Sequence, residues 1–89
     1  MDLSSSSARS VQVDLRSSLA SRIGRSAVTV VLSTAAQAGD VRIAVAEAHP
    51  DAAPLIERAL VVVGDRILGR TDPLPPDASI ALVPPVSGG

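Results

Sequence analysis

The chain closes with Ser79-Ile80-Ala81-Leu82-Val83-Pro84-Pro85-Val86-Ser87-Gly88-Gly89. Its aliphatic run, residues 80–83, is typical of a buried β-strand. A sheet ladder cannot continue through Pro84 and Pro85, because proline has no N–H to donate. The residues that follow become smaller towards the terminal glycines, which have no Cβ to collide with the walls of a narrow pocket. The stretch therefore predicts a strand, a stiff exit and a thin tail whose last group is a carboxylate.

The composition fits one small domain and excludes several kinds of active site. The chain has 89 residues, 46% of them apolar, and contains no Phe, Tyr, Trp or Cys. Without cysteine there are no disulfides, thiolate metal sites or thiol nucleophiles. A zinc site of ordinary ligands is not expected from the single histidine, His49. We predict no metal site and no bound cofactor.

Charge and hydropathy argue against nucleic acid and membrane as partners. The net charge is −1, and all eight basic residues are arginines spread along the sequence. With no aromatic side chain to stack on a base, nucleic-acid binding is not expected. No apolar run is long enough for a membrane span, and the N-terminus lacks the pattern of a signal peptide. We expect a cytoplasmic protein.

The first half of the chain predicts a hairpin and a helix. Residues 11–15 alternate apolar and polar side chains, and residues 27–32 are the run of highest β propensity, so an antiparallel pair is expected. A short helical turn or wide loop is predicted between them. Residues 38–48 predict the main helix, because Val41, Ala44, Val45 and Ala48 share one face.

The second half predicts a short helix and three strands. Residues 51–58 have the pattern of a short helix or wound turn. The fully apolar run 60–63 predicts a central strand covered on both faces, whereas 66–68 predict an edge strand. A proline-rich loop, 69–78, leads into the last strand. Residues 1–10 are polar and predict a disordered extension, 11–84 form the domain, and 85–89 form a flexible reactive tail.

The tail Pro84-Pro85-Val86-Ser87-Gly88-Gly89, placed behind a strand, resembles the small subunit of molybdopterin synthase. That family belongs to the ubiquitin-like sulfur carriers. The resemblance extends over residues 11–89, with softer matches at Asp40-Val41, at His49-Pro50 and at Val61-Val62-Val63-Gly64-Asp65. It implies an α+β β-grasp roll, a mixed sheet of about five strands with one main helix across it.

The resemblance also implies chemistry at Gly89 and two protein partners. A ubiquitin-activating-type adenylating enzyme would use ATP to convert the Gly89 carboxylate to an acyl-adenylate, and a sulfur donor would then leave a thiocarboxylate. Inside the large catalytic subunit of molybdopterin synthase, this sulfur would pass to cyclic pyranopterin monophosphate in molybdenum cofactor biosynthesis. The chain would not be catalytic alone.

The residues expected to meet the partners are the tail and part of the sheet. The tail contributes Pro84, Pro85, Val86, Ser87 and Gly88 beside Gly89. On the sheet, Leu82, Leu68 and Leu15 are candidates for a partner face, and ordinary core positions for these three leucines stay open.

Other functions are compatible with the same tail. One alternative is a sulfur carrier for thiamine or cysteine synthesis, and another is a ubiquitin-like modifier joined to protein lysines. The absence of lysine excludes polymers built through its own lysine side chains. An interaction module with an inert tail is the remaining alternative.

Overall fold

The computed structural model describes residues 8–75 and 79–85. Within these ranges, the chain forms five strands, three α-helices and one 3-10 turn. In chain order they are β1 (Ala8–Leu15), α1 (Ser18–Ile23), β2 (Ala27–Ser33), α2 (Ala38–Ala48), the 3-10 turn Pro50–Ala52, α3 (Ala53–Glu57), β3 (Leu60–Val63), β4 (Arg66–Leu68) and β5 (Ile80–Val83). The predicted α+β class is confirmed.

The strands form one mixed sheet in the order β2-β1-β5-β3-β4. β1 and β2 pair antiparallel, which confirms the predicted hairpin. The last strand, β5, lies parallel to β1 and antiparallel to β3. The chain's C-terminal strand is therefore its central strand, with a neighbour on each side.

The prediction that residues 60–63 form a central strand covered on both faces was wrong. β3 lies second from the edge, and its burial alternates from exposed Leu60 to buried Val61. The helices cover only one face of the sheet, so even an all-aliphatic strand has one solvent-exposed face. The short β4 is an edge strand, as predicted.

The first strand begins earlier than the sequence pattern predicts. Ala8, Arg9 and Ser10 continue the pairing of β1 with β2, up to Ser33. Ladder hydrogen bonds use backbone groups, so a strand can extend through residues with little apolar side chain to bury. The boundary predicted at Val11 thus falls inside β1; residues 1–7 lie outside the described part.

The main helix has the predicted bounds. Gln37 caps its start, where the Asp40 carboxylate accepts a 2.9 Å hydrogen bond from the Gln37 backbone N–H. The helix ends before Pro50, and its inner side chains Val41 and Val45 are fully buried. Ile43 lies off this face and is 58% exposed.

The loop after β4 is bound to the start of α2. The backbone N–H groups of Ala38 and Gly39 donate 2.8 Å hydrogen bonds to the carbonyl oxygens of Asp72 and Arg70, respectively. A Cβ on Gly39 would lie 2.8 Å from Cγ of Arg70 and 3.0 Å from its carbonyl oxygen. This close approach requires glycine, and it holds the loop against the helix that covers the sheet.

Candidate functional site

The base of the C-terminal tail is the end of the central strand. The Leu82 carbonyl oxygen accepts a 3.1 Å hydrogen bond from the backbone N–H of Arg16, just beyond the end of β1. β5 ends at Val83, as predicted from the missing N–H of Pro84. Pro84 is half-buried and Pro85 is exposed, so the chain leaves the body between these two residues.

The predicted reactive residues, Gly89 with Gly88, Ser87 and Val86, lie outside the described part of the chain. The structure therefore defines where their segment starts. Their role stays a prediction from the sequence.

The three leucines predicted for a partner face lie in one row across the sheet. Leu15 pairs with Leu82, Leu82 with Val61, and Val61 with Leu68. Leu82 is fully buried and Leu15 is 4% exposed. The row faces the helices, so Leu15 and Leu82 are core residues, and a partner cannot reach them from the sheet surface. Leu68, at the edge, is half-buried and packs against the same core.

The helices leave one face of the sheet uncovered, and we call it the open face. The row of paired residues next to the leucine row lies on this face. Asp14 pairs with Ala81, Ala81 with Val62, and Val62 with Ile67. Ile67 is 63% exposed. Two residues closer to the tail on the same face, Leu60 is 40% exposed and pairs with Val83.

We call Leu60, Val62, Ile67 and Val83 the apolar patch. The sequence pattern does not predict these four residues as a surface. An all-aliphatic run contains no polar residue to separate its two faces. The pairing of β3 with β5 and β4 determines which alternate residues of these strands lie on the open face. Because that pairing joins segments distant in sequence, a local pattern cannot predict it.

A shallow groove follows β5 across the open face towards the tail. Its volume is about 460 Å³, and Ala81 lies at its floor between Val62 and Asp14. Arg16 and Val83 line it at the tail end. Ala81 is small, so the groove has room for an apolar side chain from a partner.

A second depression lies on the helix side, away from the groove. It has a volume of about 860 Å³ between α2 and the loop after β4, and charged side chains of both signs line it, including Asp40, Arg42 and Arg70. Arg42 already donates to the carbonyl oxygens of Glu57 and Ala59, at 3.1 and 3.2 Å. It thereby ties α2 to the segment before β3, a structural role.

The described residues offer no other recognisable centre. Among residues 8–75 and 79–85, no group of three or more His, Cys, Asp or Glu side chains is placed to hold a metal ion. In the same ranges, no helix has both the length and the apolar character needed to cross a membrane.

Solved structures with the same fold align with nearly the whole chain. The crystal structure of SAMP1, a small archaeal modifier protein of Haloferax volcanii, superposes with a TM-score of 0.75 and 26% identity, over 91% of this chain and 100% of that one. A further crystal structure of that organism's small archaeal modifier protein 1 gives 0.74 and 24%, over 86% and 98%.

A third structure shows the fold at lower sequence identity. The solution structure of the Haloferax volcanii HVO 2177 protein superposes with a TM-score of 0.75 and 19% identity, over 93% of this chain and 89% of that one. No protein-family model matches the chain, and no curated protein sequence does either.

These findings define the class of fold and support a class of protein. The fold is the ubiquitin-like β-grasp, as the tail resemblance implied. The similarity to small archaeal modifier proteins supports a protein of the ubiquitin-like modifier or sulfur-carrier kind.

Proposed function

We propose that this chain is a sulfur carrier whose Gly89 carboxylate is activated, converted to a thiocarboxylate and used by molybdopterin synthase. The observation that carries the proposal is the anchoring of the tail. Its base is the central strand of a ubiquitin-like sheet, and the sequence beyond it runs Pro84-Pro85-Val86-Ser87-Gly88-Gly89.

The chemistry begins with activation of an unreactive group. An ionised carboxylate is a poor electrophile, and a free α-carboxyl has a pKa of about 3.3–3.7, so it is charged at neutral pH. A carboxylate oxygen of Gly89 attacks the α-phosphorus of ATP, and pyrophosphate leaves. The sulfur of a donor then attacks the acyl carbon, and AMP leaves. With hydrosulfide as the donor, the attacking sulfur then loses its proton to water, which leaves the Gly89 thiocarboxylate without any change of oxidation state.

The structure suits the delivery of such a group. Pro84 and Pro85 stiffen the base of the tail, so less conformational entropy is lost when it enters a channel. The apolar patch of Leu60, Val62, Ile67 and Val83 lies on the same side as the groove and beside the tail base. A contiguous exposed apolar area next to a functional segment is the kind of surface that a protein partner buries.

The proposed partners are an adenylating enzyme of the ubiquitin-activating type and the large catalytic subunit of molybdopterin synthase. The first supplies the ATP site, so this chain needs no bound cofactor. The second binds the tail and the cyclic pyranopterin monophosphate together. Both partners would meet the same end of the molecule, so they would bind in turn.

Protein modification is a second candidate, favoured by the similarity to small archaeal modifier proteins. The activated acyl carbon would be attacked by a lysine amine of a target protein, giving an amide in place of a thiocarboxylate. The two functions share the activation step. They differ in what is transferred: a modifier passes its acyl group to a lysine amine, whereas a carrier passes its sulfur to the pyranopterin.

Intact mass spectrometry separates these candidates. The full chain is incubated with an adenylating enzyme, ATP and a sulfide source, beside a variant that lacks Gly89. We expect the full chain to gain the mass difference between sulfur and oxygen, and the shortened chain to gain nothing. Conversion of cyclic pyranopterin monophosphate by the large subunit would then establish the pathway.

Amide-linked conjugates on lysines of other proteins would instead support the modifier function. If neither product forms with any adenylating enzyme tested, the tail is inert and the proposal is wrong.

A further inference from the structure

The strand β2 forms one edge of the sheet. It stands first in the order β2-β1-β5-β3-β4, and it pairs only with β1. With seven residues it is much longer than β4, the strand at the other edge, which has three. The long edge therefore presents an extended row of backbone groups on its outer side.

The pairing with β1 decides which backbone groups of β2 point outwards. The Leu15 N–H donates a 2.8 Å hydrogen bond to the Ser26 carbonyl oxygen, so these two residues form a hydrogen-bonded pair. Such pairs alternate with non-bonded pairs along an antiparallel ladder. Counted along the register, the even-numbered residues of β2 bond to β1, and the N–H and C=O groups of Thr29 and Val31 point away from the sheet. In the part of the chain that the structure describes, nothing bonds to these four groups.

The strand β2 lacks the features that usually prevent an edge from pairing. Residues 27–33 include no charged side chain and no proline, and their register with β1 is unbroken by a bulge. Thr29 is exposed, and Val31 is 67% exposed. The short edge strand β4, by contrast, begins with the exposed charge of Arg66. Since proteins commonly guard their edges with charges, prolines or bulges, the unguarded β2 is suited to pair with another strand.

The helix that packs beside β2 leaves room for a neighbouring molecule. On one flank of α2, Arg42 donates hydrogen bonds to the carbonyl oxygens of Glu57 and Ala59, just before β3. The opposite flank, with Ala44 and Ala48, therefore lies towards β2, which α2 also contacts. Because these side chains are small and uncharged, they do not obstruct approach to the edge.

We propose that β2 pairs antiparallel with β2 of a second copy of this chain. The two-fold dimer would join the five strands of each copy in one continuous sheet. A two-fold axis at Val30 pairs all seven residues of β2, and it places Thr29 of each copy opposite Val31 of the other. These pairs of β-branched side chains lie on the open face and stabilise a sheet. Symmetry makes each contact twice.

A second copy fits this edge better than a flexible peptide does. Both β2 strands are already held extended by β1, so little backbone entropy is lost when they pair. The strand carries no charge, and the whole chain has a net charge of only −1, so two copies repel each other weakly. Pairing of two short strands is a small interface, and we expect a reversible dimer with a dissociation constant of roughly 1 µM–1 mM.

The dimer would leave both tails accessible, so the inference goes beyond the proposed function and does not rest on it. The strand β5, which leads into the tail, is separated from β2 by β1 and lies about 10 Å from it. Since β5 ends beside the start of β2, antiparallel pairing puts the two tail bases at opposite ends of the joined sheet. Two partner proteins can then bind one dimer without meeting each other.

The mass of the full chain in solution is the first test. Sedimentation equilibrium would cover protein concentrations from about 1 µM to 1 mM. We expect the average mass to rise with concentration from the 9.0 kDa of one chain towards twice that value. A mass that stays at one chain would overturn the inference. Growth beyond two chains would also overturn it, because a two-fold contact is closed.

Paired charges test whether β2 is the contact. Thr29→Lys combined with Val31→Lys would place lysines opposite each other in the dimer, and we expect the dissociation constant to rise at least about tenfold. Thr29→Lys combined with Val31→Glu would place opposite charges together and restore association. Both residues are exposed and pair with the uncharged Gln12 and Ser10 in β1, so each variant should fold. Equal association of the two variants, or no recovery with the second, would overturn the pairing.

Engineered cysteines test the register, since the chain contains no cysteine of its own. The two copies of Val30 would face each other as a non-bonded pair with Cα atoms about 4.5 Å apart, within the range of a disulfide. The two copies of Val28 would be roughly 13 Å apart along the sheet. We expect mild oxidation to link Val30→Cys into dimers and to leave Val28→Cys, an equally buried control, as single chains. No linkage of Val30→Cys, or equal linkage of both variants, would overturn the proposed two-fold axis.

Discussion

The backbone N–H of Arg16 donates a 3.1 Å hydrogen bond to the carbonyl oxygen of Leu82. This bond continues the parallel pairing of β1 with β5 to the last residues before the proline pair. On its other side, β5 pairs with β3 along its whole length. The base of the tail is thereby held by two strands as far as Val83.

Leu82 should be far more important for stability than its neighbour Val83. Leu82→Ala removes a fully buried side chain, and we expect the free energy of unfolding to fall by about 2–5 kcal/mol. Val83 is half-buried on the open face, so Val83→Ala should cost about 1 kcal/mol. Urea denaturation of both variants measures the difference. Equal losses would contradict the assignment of Leu82 to the core and Val83 to the open face.

Local signals in the sequence predicted most elements. The bounds of α2 follow from the spacing of Val41 and Val45 and from the helix end before Pro50, all features within a few residues of one another. β5 was found in the same way, from an aliphatic run and Pro84.

The faces of the sheet were not predictable from such signals. From the sequence, Leu15, Leu82 and Leu68 are candidates for a partner face with core positions left open, and the strand pairing places them in one row on the face that the helices cover. Which face the helices cover is decided by packing between segments distant in sequence.

Gly39→Ala tests the close contact between α2 and the loop after β4. Alanine favours helix by up to about 1 kcal/mol over glycine, but the added Cβ would meet Arg70 at 2.8 Å and its carbonyl oxygen at 3.0 Å. Overpacking of this kind costs about 1–3 kcal/mol, so we expect a net loss of stability of about 1 kcal/mol.

Gly69→Ala is the matched control, because Gly69 lies in the loop after β4 that Gly39 contacts. A Cβ at Gly69 would lie 3.4 Å from Oδ2 of Asp72, which is ordinary contact. Thermal unfolding of the two variants should show a lower Tm for Gly39→Ala only. An increase in Tm for Gly39→Ala would mean that the loop yields and that the contact does not hold it.

Ile67→Asp tests the apolar patch as a binding surface. Ile67 is 63% exposed, so the change should affect stability by less than about 1 kcal/mol. A charge placed in an apolar interface loses hydration without a partner, and we expect at least a tenfold weaker affinity for the adenylating enzyme, about 1.4 kcal/mol.

Val31→Asp is the control for this variant. Val31 is 67% exposed on the same open face, but in the edge strand β2, away from the tail base. Titration calorimetry should find unchanged affinity for Val31→Asp. If both variants bind equally well, the patch is not the interface; if both lose affinity equally, the interface covers the whole open face.

The proline pair should act through the entropy of the tail. Pro84→Ala with Pro85→Ala restores backbone freedom in the unbound chain, worth about 0.4–1 kcal/mol per residue. Insertion of the tail should therefore become less favourable by about 1–2 kcal/mol. This corresponds to a KM for activation of Gly89 that is about five- to thirtyfold higher. The value of kcat should stay the same, because the reacting terminus is unaltered.

Steady-state kinetics of pyrophosphate release would measure both constants, with Pro50→Ala as a proline control outside the tail. A lower kcat with unchanged KM would mean that the prolines position the carboxylate in the active site instead of stiffening the exit.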